Sequence, residues 1–167
     1  MKERKIKVRQ AKPKDVVNIF KLLKSGWSEQ TVEYAPVDDL RGFQWILGIL
    51  RDGFIAVADL DGRIVGVACA SPFQPPWSFQ WMLDMENLYI MPQFRGEGVF
   101  VSLMNAVEQW ADKVKLSMVL GITTGEKPEV KDRMMCIAGW TYTGGNYIRP
   151  FDEQQQENNK NKQHDSE

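Results

Sequence analysis

The sequence predicts a mixed α/β domain, and three observations carry that prediction. Strand-like and helix-like apolar periods alternate from Lys5 to Arg149. Asp61-Gly62 divides two runs rich in Val, Ile and Ala, the mark of a two-residue antiparallel hairpin. A third run closes at Met91-Pro92 and is followed by a turn with two glycines and a long amphipathic helix. A chain of 167 residues is expected to form one domain with a core that needs no staples. That domain is expected over residues 1–151. Residues 152–167 are mostly Gln, Asn, Lys, Asp and Glu and read as a disordered polar tail.

Each element follows from local pattern. Lys5 to Arg9 reads as an opening strand, with Ile6 and Val8 alternating with charges. Pro13 precedes a helix expected from about Asp15 to Lys24. Val16, Ile19, Phe20 and Leu23 form its apolar stripe, Asp15 suits its positive end, and Gly26 stops it. A second helix is expected from Asp38 or Asp39, burying Leu40, Phe43, Leu47 and Leu50 and ending at Gly53. Phe54 to Leu60 and Arg63 to Ala70 make the hairpin. Ser71 to Trp77 carries Pro72, Pro75 and Pro76, none of which donates to a ladder, so it reads as a loop. Ser78 to Ile90 reads as a long strand. Gly96 to Lys115 is the strongest helix, with Phe100, Leu103, Met104, Val107, Ala111 and Val114 on one face. Leu116 to Thr123 reads as a strand, Pro128 to Ala138 as a helix, and Thr141 to Arg149 as one or two short strands.

Composition narrows the partners. With 21 Lys and Arg against 22 Asp and Glu, no field favours nucleic acid. Cys69 and Cys136 lie far apart in apolar stretches and read as buried free thiols of a reducing compartment. The single histidine, His164, lies in the polar tail, which leaves neither a histidine triad nor a histidine zinc site; no metal is expected. No run is long and apolar enough for a bilayer, and the N-terminus lacks a signal-peptide stretch, so no membrane partner and a cytoplasmic location are expected.

The informative stretch is Glu86 to Phe100. A helix start exposes unpaired N–H groups at the positive end of its dipole. Glycines at 96 and 98 let an anion approach that backbone without a Cβ in the way, and Arg95 adds a charge from the side. A phosphate or pyrophosphate is the natural ligand. A P-loop needs Gly-Lys-Ser/Thr where this turn has Gly-Val-Phe. A dinucleotide fingerprint needs a third glycine and an early βαβ setting, and both are missing.

Gln93-Phe94-Arg95-Gly96-Glu97-Gly98 resembles the turn of the GNAT family of N-acetyltransferases, Gln/Arg-x-x-Gly-x-Gly/Ala. Leu88-Tyr89-Ile90-Met91-Pro92 is similar to that family's strand ending, and Gly139-Trp140 to its Gly-Phe pair. The resemblance covers roughly Lys5 to Pro150. It implies the acyl-CoA N-acyltransferase fold, a mixed central sheet whose splayed strand pair takes the cofactor, and acetyl-CoA as donor. It further implies that backbone groups of Leu88 and Ile90 pair with the pantetheine arm. Amides from Phe94 through Arg95, Gly96 and Gly98 to Val99 then hold the pyrophosphate. In the family a tyrosine four residues before the Gly-Phe pair often protonates the leaving thiolate, but here that position is Met135. Tyr142, Tyr147 or water is left for the role. The asparagine that often follows the fifth strand has no match around Thr123 to Lys127.

Acetyl transfer needs positioning, a base and polarisation of the thioester carbonyl. Asp84 and Glu86 are two apart on the fourth strand, so both point to one face, together with Leu88 and Ile90. Either carboxylate, acting directly or through water, is the expected base; solvated or ion-paired strand carboxylates are the alternative. Trp77, Phe79 and Trp81 alternate along the expected strand. They line an acceptor pocket, or else cover a sheet edge or a homodimer contact. Trp27 and Trp45 carry the same two readings. The expected function is acetyl transfer to a primary amine of a small molecule or protein. The alternative is a non-catalytic CoA-binding module acting as a sensor or interaction protein; a third reading is an enzyme with a longer acyl donor.

Overall fold

The structure is a computed structural model describing residues 5–29, 36–121 and 128–144. Five strands form one sheet in the order β1 (Lys7–Gln10), β2 (Phe54–Leu60), β3 (Arg63–Phe73), β4 (Met82–Ile90) and β5 (Met118–Leu120). Neighbours are antiparallel except β4 and β5, which run parallel. Helices α1 (Val16–Ser28) and α2 (Asp39–Asp52) cover one face. Helix α3 (Val99–Val114) covers the other, joined by Met135 of α4 (Pro128–Ile137).

Strand alternation builds a core on each face. Ile55 and Val57 of β2 pack toward α1 and α2, while Phe54, Ala56 and Ala58 pack toward α3. Ile19, Leu23 and Ile46 close the first core; Leu103, Met104 and Val107 close the second. At the hairpin, Asp61 and Gly62 both have positive φ (51° and 90°), which the favoured two-residue turn requires. The Gly62 N–H donates to Asp59 Oδ1 at 2.6 Å and closes it.

Several boundaries differ from the sequence-based expectation, each for a tertiary reason. Helix α1 passes through Gly26 and ends at Ser28. A Cβ at Gly26 would lie 2.5 Å from the Tyr89 ring, so this glycine allows close helix–strand packing rather than stopping the helix. Helix α2 buries Ile46 and Ile49, with Phe43 and Leu50 half-buried; Leu40 and Leu47 face outward.

Strand β3 continues through Ser71-Pro72-Phe73 against β4. Its last pair with β2 is Phe54↔Ala70, so Pro72 lies where β3 has a neighbour on one side only, a setting that tolerates proline. Strand β4 starts at Met82 rather than Ser78. Trp77, Phe79 and Trp81 therefore belong to the β3–β4 connection, are 87%, 97% and 55% exposed, and line no strand face.

Strand β5 is limited to three residues, although the Leu83 N–H also donates to the Ser117 carbonyl at 2.8 Å. Thr141 to Gly144 form no strand. The rest of that expected segment and the 152–167 tail lie outside the described residues. Among the described residues no helix is long and apolar enough to cross a membrane.

Candidate functional site

The turn between β4 and α3 is built by glycine. After a 3-10 turn at Pro92–Phe94, Gly96 (φ 88°) and Gly98 (φ 74°) take the left-handed conformation, and Gly98 caps α3. A Cβ at either position would meet nothing within 4 Å. Packing within the protein therefore does not demand these glycines; backbone conformation does, and the space above the turn is open. The first intrahelical bond runs from the Ser102 N–H to the Gly98 carbonyl at 3.0 Å. The N–H groups one turn earlier, from Val99 on, thus lack an intrahelical acceptor and point at that space. Phe94 and Arg95 differ: their N–H groups donate to Met91 and Pro92 at 2.9 and 3.2 Å.

Beside the turn, β4 has an open edge. Its pairing with β5 covers Leu83↔Met118, Asp84↔Val119 and Met85↔Leu120, and stops there among the described residues. The Met91 N–H donates to Val65 of β3 at 3.0 Å. Backbone alternation then turns the peptide groups of Leu88 and Ile90 to the opposite edge, which no strand covers among the described residues.

A β-bulge shapes the same strand. Cys69 faces Asn87 and the next pair is Ala70↔Met85, so Glu86 has no ladder partner. The extra residue resets the alternation. Met85, Leu88 and Ile90 belong to the α3 side, whereas Glu86 reaches α2 on the other face. Asp84, adjacent to Met85, shares the Glu86 face. The two carboxylates do lie together, as their spacing predicts, but the bulge separates them from Leu88 and Ile90. Burial pushes the Asp84 carboxyl above its ordinary value, and the charge of Glu86 adds to that.

Glu86 is exposed yet held at both oxygens: the Trp45 indole N–H donates to Oε2, and the Ser71 hydroxyl donates to Oε1. The sequence offers Trp45 as an acceptor-pocket or contact residue but gives no sign of this bond. Trp45 and Glu86 are 41 residues apart, and no local signal joins them. In the sequence Ser71 reads only as the start of a loop.

Arg95 points away from the space above the turn. Its Nε donates to the Ile90 carbonyl at 2.9 Å and its Nη2 to Glu29 Oε2 at 2.6 Å, with the guanidinium over the Tyr89 ring. The Tyr89 hydroxyl donates to the other Glu29 oxygen at 2.5 Å. Burial, then the bond to Glu29, pushes the Tyr89 phenol up to about 12. This cluster ties the end of α1 to the strand and the turn, so the guanidinium serves as a brace.

Met135 is buried in the α3-side core, so its position offers no proton donor. After α4, Trp140 N–H bonds the Met135 carbonyl and Gly139 N–H the Cys136 carbonyl, at 3.0 and 3.1 Å, around a left-handed Gly139. The Trp140 indole N–H donates to Glu108 of α3 at 2.9 Å. Cys136 is exposed, contrary to the expectation of burial, because α4 turns only part of its surface to the core. Cys69 is buried, which raises its thiol far above the ordinary value and leaves it inert. Tyr142 is exposed; Tyr147 and residues 123–127 lie outside the described residues.

Comparison with known proteins identifies the family and the fold. The acetyltransferase (GNAT) family pattern matches residues 16–131. An uncharacterized N-acetyltransferase of Archaeoglobus fulgidus is 34% identical over 70 residues, which are 41% of this chain and 47% of that protein. The match thus spans about half the length of the curated relative. The aminoglycoside N-acetyltransferase AAC(6')-Iy, solved with the bisubstrate analogue CoA-S-monomethyl-acetylneamine, superposes with TM-score 0.68 at 19% identity, covering 89% of this chain and 99% of that one. A predicted acetyltransferase from Clostridium acetobutylicum, solved with acetyl-CoA, gives TM-score 0.72 at 15% identity over 88% and 96%. The family pattern spans more than half of the sequence and the fold superposes on that of solved acetyltransferases, and this chain belongs to the GNAT acetyltransferases.

Proposed function

We propose that the protein moves an acetyl group from acetyl-CoA to a primary amine by direct attack, with a β4 carboxylate as base. The observation that carries this reading is the left-handed Gly96–Gly98 turn beside the end of β4 that no described strand covers. Amides of Gly96 to Val99 suit a pyrophosphate. Phe94 and Arg95 contribute the 3-10 turn that aims them, since their own N–H groups are already bonded. The Leu88 and Ile90 peptide groups suit a pantetheine arm added like a strand. The Ile90 carbonyl, which already accepts from Arg95, keeps a second lone pair for it.

Glu86 is the preferred base, with Asp84 beside it. The ammonium of the acceptor gives a proton to Glu86, directly or through water, and the freed nitrogen pair attacks the thioester carbonyl carbon. An N–C bond forms, the C–S bond breaks, and the departing thiolate takes the proton that the nitrogen then sheds. Small-molecule amines are the first class to try, because AAC(6')-Iy was solved with an acetylneamine analogue. The buried Met135 favours a second reading, a CoA-binding module without turnover.

Calorimetric titration with acetyl-CoA tests the site, using wild type, Gly96→Asp and Gly98→Asp. One-site binding lost in both folded variants is expected. No binding by folded wild type overturns the proposal. Release of free thiol with an amine panel that includes aminoglycosides then separates the enzyme from the module.

A further inference from the structure

Glu86 occupies the one β4 position that the ladder leaves without a partner, so the backbone alone does not fix its carboxylate. Two side chains do. We infer that Trp45 and Ser71 are positioning residues for the Glu86 carboxylate, an inference that rests on the acetyl-transfer reading above.

The two donors are unequal. An indole N–H only donates, so Trp45 holds Oε2 as an acceptor throughout the reaction. The Ser71 hydroxyl donates to Oε1 while Glu86 is ionised and rotates to accept once that oxygen carries a proton. Oε1 is therefore where the proton of the acceptor amine arrives, and Ser71 follows the change without leaving a polar group unpaired.

Both donors are themselves anchored. Trp45 packs against Trp27 with ring centroids 6.1 Å apart, and Trp27 meets Phe20 at 6.2 Å. Phe20 meets Phe43 at 4.4 Å. These rings belong to α1 and α2 and pack on the first core, which fixes the indole. Ser71 pairs with Asp84 in the β3–β4 ladder, which fixes its backbone. The carboxylate is thus tied to α2 on one side and to the sheet on the other.

Two measurements test this. In a proton–nitrogen correlation spectrum the six tryptophans give six indole signals, and the Trp45 signal is the one lost in Trp45→Phe. It is expected to move upfield and exchange faster with solvent in Glu86→Ala; an unchanged signal overturns the inference whether or not the protein is an enzyme. With acetyl-CoA and a responsive amine, Trp45→Phe and Ser71→Ala are each expected to lower kcat by about tenfold to a hundredfold. KM for acetyl-CoA should stay unchanged, and Ser71→Thr, which keeps the hydroxyl, should restore kcat. Wild-type kcat in both Trp45→Phe and Ser71→Ala overturns the positioning role. If the signal responds to Glu86→Ala but wild type acetylates no amine, the acetyl-transfer reading falls, and the catalytic purpose of the two donors falls with it.

Discussion

Asp84, proposed for a part in the chemistry, also acts on stability. Its carboxyl is held above its ordinary value, first by burial and then by the negative charge of Glu86. The folded state therefore keeps this proton more tightly than the unfolded chain does. The favourable contribution is complete below the unfolded value of about 3.9 and is lost as the pH rises through the raised folded value. At neutral pH the ionised Asp84 is a net cost. Asp84→Asn, which keeps size and shape, is expected to stabilise the fold at neutral pH by less than about 1 kcal/mol, because solvent screens a half-exposed site. Urea melts of both proteins at neutral and at strongly acid pH check this: the gain should shrink toward zero in acid. A gain of equal size at both pH values would assign the effect to packing instead of charge.

At the scale of elements, the end of α3 carries a correctable strain. Lys115 takes the left-handed conformation (φ 57°), with its N–H bonded to Asp112 and the Leu116 N–H bonded to Ala111. That is the position where helices place glycine, since a Cβ there is unfavourable. Lys115→Gly is expected to raise stability by about 0.5 kcal/mol, the relief exceeding the extra chain entropy of glycine. Thermal melts at fixed pH measure it, and a lower melting temperature would show that the lysine contributes more than its backbone strain costs. Elements set by local pattern were legible in the sequence: the Asp61-Gly62 hairpin, the α3 stripe and the two-glycine turn all depend on neighbours within a few residues. The Glu86 bulge was not, because it is a register shift against Cys69 and Ala70 on another strand. Strand pairing across Pro72 and the helical Gly26 were hidden for the same reason, each being decided by a distant partner. The candidate site follows this division: the turn and the paired carboxylates proposed for it are read from local spacing, while the bonds that hold Glu86 and redirect Arg95 are not.

For the molecule as a whole, one ionic cluster joins the start of the chain to the sheet. Arg9 of β1 grips Asp15 through Nη1 and Nη2 at 2.7 and 3.1 Å, and its Nε reaches Asp59 of β2 at 2.9 Å. Asp15 is buried and also accepts the Lys12 N–H at 2.8 Å. It stands at the N-terminal end of α1, as the sequence predicts, and in the 3-10 turn there it also locks β1, that turn and β2 together. The Arg9 guanidinium, more than any other contact, holds the Asp15 carboxyl below its ordinary value. A depressed folded value means that the stabilisation is present above the unfolded value of about 3.9 and is lost as the pH falls through the lower folded value. Asp15→Asn keeps an acceptor for Lys12 but leaves Arg9 without its main partner. It is expected to cost about 2 kcal/mol at neutral pH, less than breaking a fully buried pair, because Arg9 keeps contact with water. As the pH falls below about 4, wild type should lose stability more steeply than the variant, since only wild type takes up a proton at this site on unfolding. Parallel acid titrations of both proteins by urea melts decide the matter. Curves with the same slope over that interval would mean that the cluster orders the N-terminal strand through geometry alone and not through its charge.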